Sequence, residues 1–466
     1  MQDHTVGCSS ILNSQFSIRM LFNDIIVAPA TPTGGAIAIV RIEGEGAIGL
    51  CDTLFRPTRE GLRLADMKGY TMAHGLIVEG ERRVDDVVVS LYRAPHSYTG
   101  GDMVEIACHG SAYVVGEIVR LAVEAGARTA TAGEFTKRAF LAGKMDLSQA
   151  EAVADVIAAD SRAALTMADT QLRGAYSAAL AALRGELLHL AALLELELDF
   201  GEEDVEFADR GALVELLDRI ENEIVRLKDS FATGNAIKRG VAVAIVGAPN
   251  VGKSTLLNRI VGEDRAMVSD IAGTTRDTIE ESVAIDGVMF RFIDTAGLHD
   301  TADRLESMGI ERTRKALGDA GIVVEMFEQV GEDFVSVVAE QKIVRVLNKI
   351  DLRAGESARE LPEGWVAISA KQGVGVEQLL VALRGCVDTS DVMRGEAVVS
   401  NSRHHEALLR AEESLQRARR GLTDGLSTDL VAQDVREVLE AIGTITGEVS
   451  SQEILAHVFS KFCIGK

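Results

Sequence analysis

The order of apolar and polar residues divides the chain into stretches of different character. Short β-branched runs, separated by glycine, proline and charged turns, occupy residues 25–106 and predict a mixed α+β domain with strands at 25–27, 36–41, 84–91 and 103–107. Residues 147–200 are rich in Ala and Leu, with apolar positions three and four apart. This spacing predicts long packed helices.

The pattern changes again at residue 241. A second helical stretch at 211–231 is expected to end at a break marked by Thr233, Gly234 and Asn235. The run VAVAIVG reads as a buried strand, and strand, glycine loop and helix then alternate to about residue 384, as in a doubly wound parallel sheet. Helical periodicity returns at 402–422 and from 428 to the C-terminus. The sequence therefore predicts an α/β domain inserted into a helical domain, where it can move helices on both sides.

Length and composition are those of several soluble globular domains. At about 150 residues per domain, 466 residues predict roughly three domains, and 47% hydrophobic with 26% charged residues is an ordinary globular balance. We expect domain boundaries at 21–139, 140–236, 237–384 and 385–466, with the first and last helical parts forming one body. Residues 1–20 carry no secretory or transit signal and read as a tail, and no uninterrupted apolar run approaches the ~18 residues of a membrane span.

Charge and residue usage narrow the possible partners. The chain has 48 Lys and Arg against 71 Asp and Glu, a formal charge of −23, so it is not expected to hold nucleic acid mainly by neutralising phosphates. Aromatic residues are only 4%, which argues against base-stacking platforms. The cysteines are odd in number and lack metal-ligand spacing, which predicts reduced thiols in the cytoplasm. They are Cys8, Cys51, Cys108, Cys386 and Cys463.

A phosphate-binding loop follows the strand at 241–247. The run GAPNVGKS ends in Lys253 and Ser254 and opens a helix expected at 255–260. Lys253 would reach the β- and γ-phosphates, and the Ser254 hydroxyl would ligate Mg²⁺. A chance match in a glycine-rich turn is the alternative for this motif alone.

Three further motifs follow in the order of a GTPase. Asp294-Thr-Ala-Gly297 comes after the apolar run MFRFI and places a carboxylate near the Mg²⁺ shell. Asn348-Lys349-Ile-Asp351 comes after IVRVL, and Asp351 can accept hydrogen bonds from guanine that adenine cannot offer. Ser369-Ala-Lys371 supplies a loop beside the base. Together the four motifs predict a GTPase domain.

The residue after Gly297 is Leu298, where small signalling GTPases carry a water-orienting glutamine. Leucine cannot polarise water, so the groups for hydrolysis are expected in Asn250, in the stretch 269–277 and in Glu306. Asn250 also reads as a turn residue and Glu306 as part of a solvated helix face, and the residues alone leave both alternatives open. The threonines of the stretch suit a switch loop, with Thr275 as a second Mg²⁺ ligand.

The chain resembles the MnmE (TrmE) family of tRNA-modification GTPases over nearly its whole length. The resemblance rests on the phosphate loop, on the run DIAGTTRD at 270–277, on the flanking helical segments, and on the C-terminal FCIGK. In the first domain it rests on several shorter motifs. These are Ala30-Thr-Pro, Gly35-Ala-Ile-Ala-Ile-Val-Arg41, Tyr98-Thr-Gly, His109-Gly110, Gly133-Glu-Phe, Arg138-Ala-Phe-Leu and Asp146-Leu-Ser-Gln-Ala-Glu.

The resemblance implies an α+β N-terminal folate-binding domain, an all-α helical domain and an inserted α/β P-loop (Ras-like) GTPase domain. It implies a cytoplasmic homodimer that binds GTP, Mg²⁺, K⁺ and a tetrahydrofolate one-carbon derivative. The implied activity, shared with the FAD-dependent partner MnmG (GidA), forms the carboxymethylaminomethyl group at carbon 5 of the wobble uridine of certain tRNAs.

Residue roles follow by motif. The implied catalytic residues are Lys253, Glu306 as the water-orienting acid, and Cys463 as the thiol. The K⁺ ligands would be Asn250, Ser269, Ile271 and Thr274, and the Mg²⁺ ligands Ser254 and Thr275. Folate contacts would be Arg41, Glu105, Lys144 and Lys466. The GTP contacts would be Asn250, Val251, Gly252, Lys253, Ser254, Thr255, Ser269, Asp270, Ile271, Ala272, Gly273, Thr274, Thr275, Asp294, Thr295, Ala296, Gly297, Asn348, Lys349, Asp351, Ser369, Ala370 and Lys371.

Some alternatives stay open at this stage. From the residues alone, Cys463 reads equally well as a small buried hydrophobe. The loop at 32–35 and the segment 320–347 are shorter than in the family pattern, which predicts an abbreviated sheet edge at the second of them. Two rival functions are a GTP-regulated ribosome or RNA assembly factor and a folate-sensing switch, neither of which performs modification chemistry.

Overall fold

The computed structural model describes residues 24–200, 210–264, 280–293, 318, 320–330, 341–353 and 361–466. Seven strands and three helices come first in the chain. The strands are β1 Ile26–Pro29, β2 Ile37–Glu43, β3 Phe55–Pro57, β4 Thr71–Glu79, β5 Arg82–Tyr92, β6 Met103–His109 and β7 Arg128–Thr129. The helices are α1 Ala47–Leu54, α2 Ala112–Glu124 and α3 Glu134–Leu141.

Helices then dominate, interrupted by a second sheet. The helices before that sheet are α4 Leu147–Ala158, α5 Arg162–Leu172, α6 Ala175–Phe200, α7 Arg210–Asp229 and α8 Phe231–Arg239. The sheet and its helices are β8 Val241–Gly247, α9 Lys253–Asp264, β9 Glu280–Ile285, β10 Val288–Ile293, β11 Ile322–Phe327, β12 Lys342–Leu347, β13 Trp365–Ala367 and α10 Val376–Gly385. After it come α11 Ser390–Arg394, α12 Ser402–Thr423, α13 Thr428–Thr446 and α14 Gln452–Ser460.

The chain forms two compact units, one made of Met1–Ala154 with Thr446–Lys466 and the other of Asp155–Ile445. The first unit is built on a seven-stranded sheet in the order β3-β4-β5-β6-β2-β1-β7, antiparallel except for the β1–β7 pair. Helices α1 and α2 cover one face, where alternate strand residues such as Val40, Val89 and Ile106 are buried. Side chains on the opposite face, including Arg41 and Glu105, face away from this core.

The second unit combines a helical bundle with a six-stranded sheet. Leucines and alanines of α6, α7, α12 and α13 form the bundle core. The sheet has the order β13-β12-β11-β8-β10-β9 and is parallel except for the β9–β10 hairpin. Helices α5, α9 and α10 contribute to its core, which includes Val243, Phe290 and Val324. This is the multidomain fold expected, with an α/β domain inserted among helices.

Several predicted boundaries were wrong. The stretch at 147–200 is helical, as predicted, but it divides into three helices at residues 159–161 and 173–174, breaks that the pattern did not indicate. The break expected at 233–235 lies instead at Ser230, and α8 runs through Gly234. Helical structure after residue 428 is also interrupted, between α13 and α14. Finally, β11 is an inner strand between β8 and β12, so the segment 320–347 does not abbreviate a sheet edge.

Helix α6 contains the stretch Ala175–Leu198, which has a mean hydropathy of 1.4 and is long and apolar enough, by length and composition, to cross a membrane. Its Leu183, Leu187 and Leu194 are buried in the bundle core. About a third of this apolar stretch (33%) is buried within the protein.

Candidate functional site

The phosphate-binding loop connects the buried strand β8 to helix α9, as the sequence predicts. Asn250 has a positive φ of 64°, a left-handed conformation that asparagine tolerates, which agrees with its reading as a turn residue. Gly252 has a φ of 104°, and a Cβ there would lie 2.3 Å from Asn348 Nδ2. The loop thus brings main-chain N–H groups to the N-terminus of α9, where anions are favoured.

Lys253 is the first residue of α9 and is only 9% exposed. Its Nζ donates hydrogen bonds to the carbonyl oxygens of Gly247 and Ala248, at 2.9 and 3.0 Å, so the ammonium group lies over the loop. Burial lowers the pKa of this lysine below its usual 10.5. A bound phosphate would stabilise the charged form of Lys253, which burial disfavours. This is the interaction expected of a phosphate-binding lysine.

Asn348 connects the phosphate loop to the loop at 369–371. Its side-chain amide donates to the Val251 carbonyl at 2.7 Å, and its Oδ1 accepts from the Ala370 N–H at 3.0 Å. The side chain is buried, at 2% exposure. Asn348 therefore fixes the distance between the phosphate end and the base end of the predicted nucleotide site.

Asp351 and Ser369 meet beside this bridge. The Ser369 hydroxyl donates to Asp351 Oδ1 at 2.6 Å, and Ser369 itself is fully buried. This contact leaves the second carboxylate oxygen available to accept hydrogen bonds from a guanine edge. Lys349, with a φ of 62°, pairs with Glu328 at 2.5 Å. The structure thus brings together the phosphate loop, the Asn-Lys-Ile-Asp motif and the Ser-Ala-Lys loop.

The other predicted nucleotide and cation residues lie outside the described ranges. They are Ser269, Asp270, Ile271, Ala272, Gly273, Thr274, Thr275, Asp294, Thr295, Ala296, Gly297 and Glu306. Among the residues that the structure does describe, no cluster of three or more His, Cys, Asp and Glu is placed to hold a metal ion. The cation ligands predicted within these ranges are Asn250 and Ser254, both exposed.

A second site lies on the open face of the first unit's sheet. Arg41 on β2 and Glu105 on β6 are paired in register, and the guanidinium donates twice to Glu105 Oε1, at 2.9 and 2.7 Å. Tyr92 Oη donates to the other carboxylate oxygen at 3.3 Å, and burial, with the Glu105 charge, raises the pKa of Tyr92. These residues line a cavity of about 290 Å³ together with Tyr70, Ser97, Tyr98, Met103, Val153 and Lys466.

The C-terminal segment is fixed at this cavity. Arg41 Nη1 donates to the Gly465 carbonyl at 3.0 Å, and Ile464 forms a β-bridge with Ala132. The turn at 131–134 is itself held by Glu134, which accepts from the Thr131 N–H at 2.8 Å and pairs with Arg128 at 2.5 Å. Lys466 consequently lies on the cavity wall.

Not every predicted folate contact reaches the cavity. Arg41, Glu105 and Lys466 line it, whereas Lys144 is exposed and donates to the Pro95 carbonyl at 3.1 Å. Cys463 does not line the cavity but is exposed, so its reading as a buried hydrophobe was wrong. In contrast, burial raises the pKa of Cys51 to about 12 and that of Cys108 to about 11, which makes both thiols poor nucleophiles.

Comparison with known proteins identifies the family. The MnmE helical domain model matches residues 147–463, and the model for the GTP-binding protein TrmE N-terminus matches residues 25–144. The chain belongs to the MnmE family of tRNA modification GTPases. A tRNA modification GTPase MnmE from Flavobacterium johnsoniae is 47% identical over 96% of this chain and 100% of the relative. One from Bacteroides fragilis is 45% identical over 95% and 99%.

Among solved structures, a GTP-binding protein from Sulfolobus solfataricus in complex with GDP is 18% identical. The match covers 44% of this chain and 66% of the Sulfolobus chain. Its TM-score of 0.24 is too low to add to the assignment to the MnmE family. The family model for the helical domain spans the inserted sheet, in agreement with an insertion between α8 and α11.

None of the tyrosines that line this cavity was predicted from the sequence to contact a ligand. Tyr70, Tyr92 and Tyr98 are three of only five tyrosines in the chain, and all three line the cavity. Their clustering within 29 residues of an aromatic-poor sequence was a usable signal. It points to a flat, partly polar ligand, because tyrosine supplies both a ring face and a hydroxyl.

Proposed function

We propose that the protein is a potassium-dependent GTP hydrolase that acts with the FAD-dependent partner MnmG (GidA). Together they would form the carboxymethylaminomethyl group at carbon 5 of the wobble uridine of certain tRNAs, using a tetrahydrofolate one-carbon unit. Membership of a family of tRNA modification GTPases supports the coarser part of this proposal. The observation that carries the finer part is one chain with both the Asn348-bridged nucleotide motifs and a tyrosine-lined cavity whose wall includes Lys466, close in sequence to the exposed Cys463.

GTP would bind with its phosphates at the N-terminus of α9 and its base between Asp351 and the loop at 369–371. Lys253 would hold the β- and γ-phosphates. Asp351 would select guanine, because adenine would leave the carboxylate unpaired. Asn348, which bonds to both loops, would hold the phosphate-binding loop and the base-binding loop at a fixed separation.

Two cations complete this proposal. Mg²⁺ would be held by the hydroxyls of Ser254 and Thr275, and K⁺ by oxygens of Asn250, Ser269, Ile271 and Thr274. The donors in the described ranges fit this role, since the Ser254 side chain is exposed at the start of α9 and Asn250 projects from the turn before it. A monovalent cation supplies positive charge that offsets charge on the transferring phosphoryl group, in the way an arginine finger does. Glu306 would orient the attacking water.

The cavity of the first unit would bind the folate. Its volume of about 290 Å³ is at the small end of ligand pockets (~300 to 1,000 Å³), so it fits the ring end of a folate better than the whole molecule. Glu105 supplies a carboxylate for ring N–H groups, and Lys466 supplies a cation for an anionic tail. Bound tetrahydrofolate would supply the one-carbon unit, while Arg41 holds the C-terminal segment against the site. Lys144 would have to leave the Pro95 carbonyl to contribute.

The proposed partners follow from the family resemblance and from charge. We infer a homodimer through the N-terminal domains, a larger complex with MnmG, and tRNA as the substrate. A formal charge of −23 implies that most of the basic surface for tRNA belongs to the partner. The four described cysteines are free thiols, in keeping with a reducing cytoplasm.

Nucleoside analysis of tRNA tests the modification chemistry. A strain lacking the protein is complemented with the wild-type chain, with Cys463→Ser, or with Cys386→Ser, a control at a half-buried cysteine. We expect the modified uridine to return with the wild type and the control but not with Cys463→Ser, while GTP hydrolysis by all three proteins stays equal. Full modification with Cys463→Ser would exclude the thiol. Unchanged modification in the deletion strain would favour the assembly-factor or folate-switch alternatives.

Replacing K⁺ by Na⁺ at constant ionic strength tests the cation. Hydrolysis of GTP should fall severalfold or more, because Na⁺ does not fit a site sized for K⁺ ligands. In the Asn250→Ala variant, the rates of GTP hydrolysis in K⁺ and in Na⁺ should become nearly equal. Equal rates of the wild-type protein in both salts would refute the assignment.

A further inference from the structure

A second cleft in the first unit has no role in the proposed chemistry. It has a volume of about 550 Å³ and lies where β3 ends beside the first half of β4. None of its lining residues is acidic. They are Thr58, Arg59, Leu62, Met67, Lys68, Thr71, Met72, Ala73 and His74.

Two basic side chains of this cleft have no hydrogen-bond or ion-pair partner among the described residues. Arg59 and Lys68 are exposed, and neither side chain makes a hydrogen bond or ion pair with the rest of the described structure. Neighbouring arginines differ, since Arg63 pairs with Asp52 and Arg56 donates to the Gly80 carbonyl. In a chain with a charge of −23, a wall with two free cations and no carboxylate is a local exception. Such a patch focuses a favourable potential for an anion.

The walls of the cleft are held in place by hydrogen bonds. Arg93 donates to the carbonyls of Met67 and Ala65, at 2.9 and 2.6 Å, and so fixes the loop that carries Lys68. Thr58 Oγ1 bonds to His74 Nδ1 at 2.9 Å and orients the ring. Because the two free cations stand on separate, fixed segments, they are arranged for an extended anion with more than one charge.

The cleft also has an apolar floor. Leu62 and Met67 are half-buried, and Met72, 71% exposed, stands on β4 beside them. β4 pairs with β5 along its whole length but with β3 only at residues 75–77, so the edge of β4 towards β3 has no strand partner at residues 71–73 among the described residues. Cations, hydroxyls, main-chain donors and apolar surface together suit a sugar-phosphate backbone better than a small inorganic anion.

We propose that this cleft binds the phosphodiester backbone of tRNA, with Arg59 and Lys68 each contacting a phosphate. The inference rests on the tRNA part of the proposed function and assigns the protein's own share of that contact. It leaves most of the basic surface to the partner and requires neither base recognition nor stacking. The cleft therefore orients the tRNA on this unit without determining which tRNA is chosen.

Equilibrium binding of a labelled, unmodified tRNA transcript to the full-length protein tests the inference. The variants are Arg59→Ala, Lys68→Ala and the double variant. Arg83→Ala is the matched control, because the Arg83 side chain is exposed on β5, makes no hydrogen bond or ion pair with the described residues and does not line the cleft. Equal melting temperatures and equal GTP hydrolysis show that each variant is folded.

Each single substitution should weaken binding about five- to eightfold at ~0.1 M salt, because one phosphate contact contributes a salt exponent of about 0.7 to 0.9. The slope of log affinity against log salt should fall by the same amount per contact, and by about twice that in the double variant. Arg83→Ala should leave both unchanged. Equal slopes for the wild type and the cleft variants overturn the inference while leaving the proposed function intact.

Two further arms separate the sources of the anion. A folate with an oligoglutamate tail, tested against the same variants, should bind unchanged; if it weakens while tRNA binding does not, the cleft holds carboxylates and the inference is wrong. Inorganic phosphate should compete only weakly with tRNA, and strong competition would assign the cleft to a free anion. Failure of the wild-type protein to bind tRNA, alone and with its partner, would refute the tRNA part of the proposed function and this inference with it.

Discussion

Replacing Gly465 by alanine should release the C-terminal segment without disturbing the nucleotide site. Gly465 has a φ of 100°, a conformation that residues with a Cβ rarely adopt. A Cβ there would lie 2.0 Å from the Pro29 carbonyl oxygen and 3.1 Å from the Ala30 Cα. Both contacts are with main chain of β1 and the turn after it, so no side chain can move aside to relieve them.

The energies decide the outcome. Backbone strain costs about 1 to 3 kcal/mol and overpacking a further 1 to 3 kcal/mol, which gives about 2 to 6 kcal/mol against docking. The docked segment is held mainly by the charged hydrogen bond from Arg41 to the Gly465 carbonyl, about 1.5 to 3 kcal/mol, and by the short bridge between Ile464 and Ala132. Because a Cβ 2.0 Å from the Pro29 carbonyl oxygen places the penalty in the upper part of its range, above the holding energy, the undocked form should predominate.

Hydrogen exchange of the C-terminal peptide measures docking directly. Amides of residues 463–466 should exchange at least tenfold faster in Gly465→Ala, modified uridine should be lost from tRNA, and GTP hydrolysis should be unchanged. Gly143→Ala is the control, because Gly143 also has a positive φ, 69°, but a Cβ there meets no atom within 4 Å. Unaltered exchange in Gly465→Ala would refute the reasoning about docking.

Three further changes test other parts of the structure. Asn348→Ala leaves two buried main-chain partners unpaired, at about 1 to 3 kcal/mol each, so the Kd for GTP measured by titration should rise at least tenfold; an unchanged Kd would contradict the bridge. Burial opposes ionisation of Glu134, but bonds led by Arg128 hold its pKa at about 2 against the usual 4.5, so its stabilisation is complete above pH 4.5 and is lost as the pH falls towards 2. Glu134→Gln should remove about 2 kcal/mol, after solvent screening, from the loss of unfolding free energy between pH 4.5 and 2, and so flatten the fall of the melting temperature with acid; an unaltered fall would contradict this. Gly234→Ala, whose Cβ would lie 2.2 Å from the Val399 carbonyl oxygen, should lower the melting temperature by several degrees, and an unchanged value would contradict the close contact.

The sequence predicted those parts of the fold that depend on local pattern. Strands of the first sheet and the buried strand β8 follow from β-branched runs, and the nucleotide motifs lie after strands, as the sequence placed them. Strand β4 was missed because its run TMAHGLIVE contains a glycine. A Cβ at Gly75 would lie 2.4 Å from the Arg56 carbonyl oxygen and 2.6 Å from the Phe55 ring, so this glycine permits close packing and does not mark a turn.

In the candidate sites, too, the sequence predicts what depends on local motifs and not what depends on long-range packing. Arg41, Glu105 and Lys466 could be proposed from motifs, but their meeting depends on the register between β2 and β6 and on the docking of a segment 424 residues away in the chain. Likewise, the sequence does not indicate that Arg59 and Lys68 lack an ion-pair partner, because this depends on where the fold places the carboxylates. Long-range geometry of this kind cannot be read from local spacing.

Gly234 shows how the insertion is joined to the helices. The sequence predicted an inserted α/β domain, but it read this glycine as a break, whereas α8 continues through it and packs on the returning chain at Val399. Ser230 Oγ accepts a hydrogen bond from the Val399 N–H at 2.9 Å, and the Phe231 ring stacks on His405, with centroids 4.2 Å apart. The chain segments that lead into and out of the inserted domain are thus packed against each other. A rotation of the inserted sheet would have to break these contacts or carry α8 and α12 with it. If GTP binding rotated the sheet, the second outcome would transmit that rotation to the helical bundle.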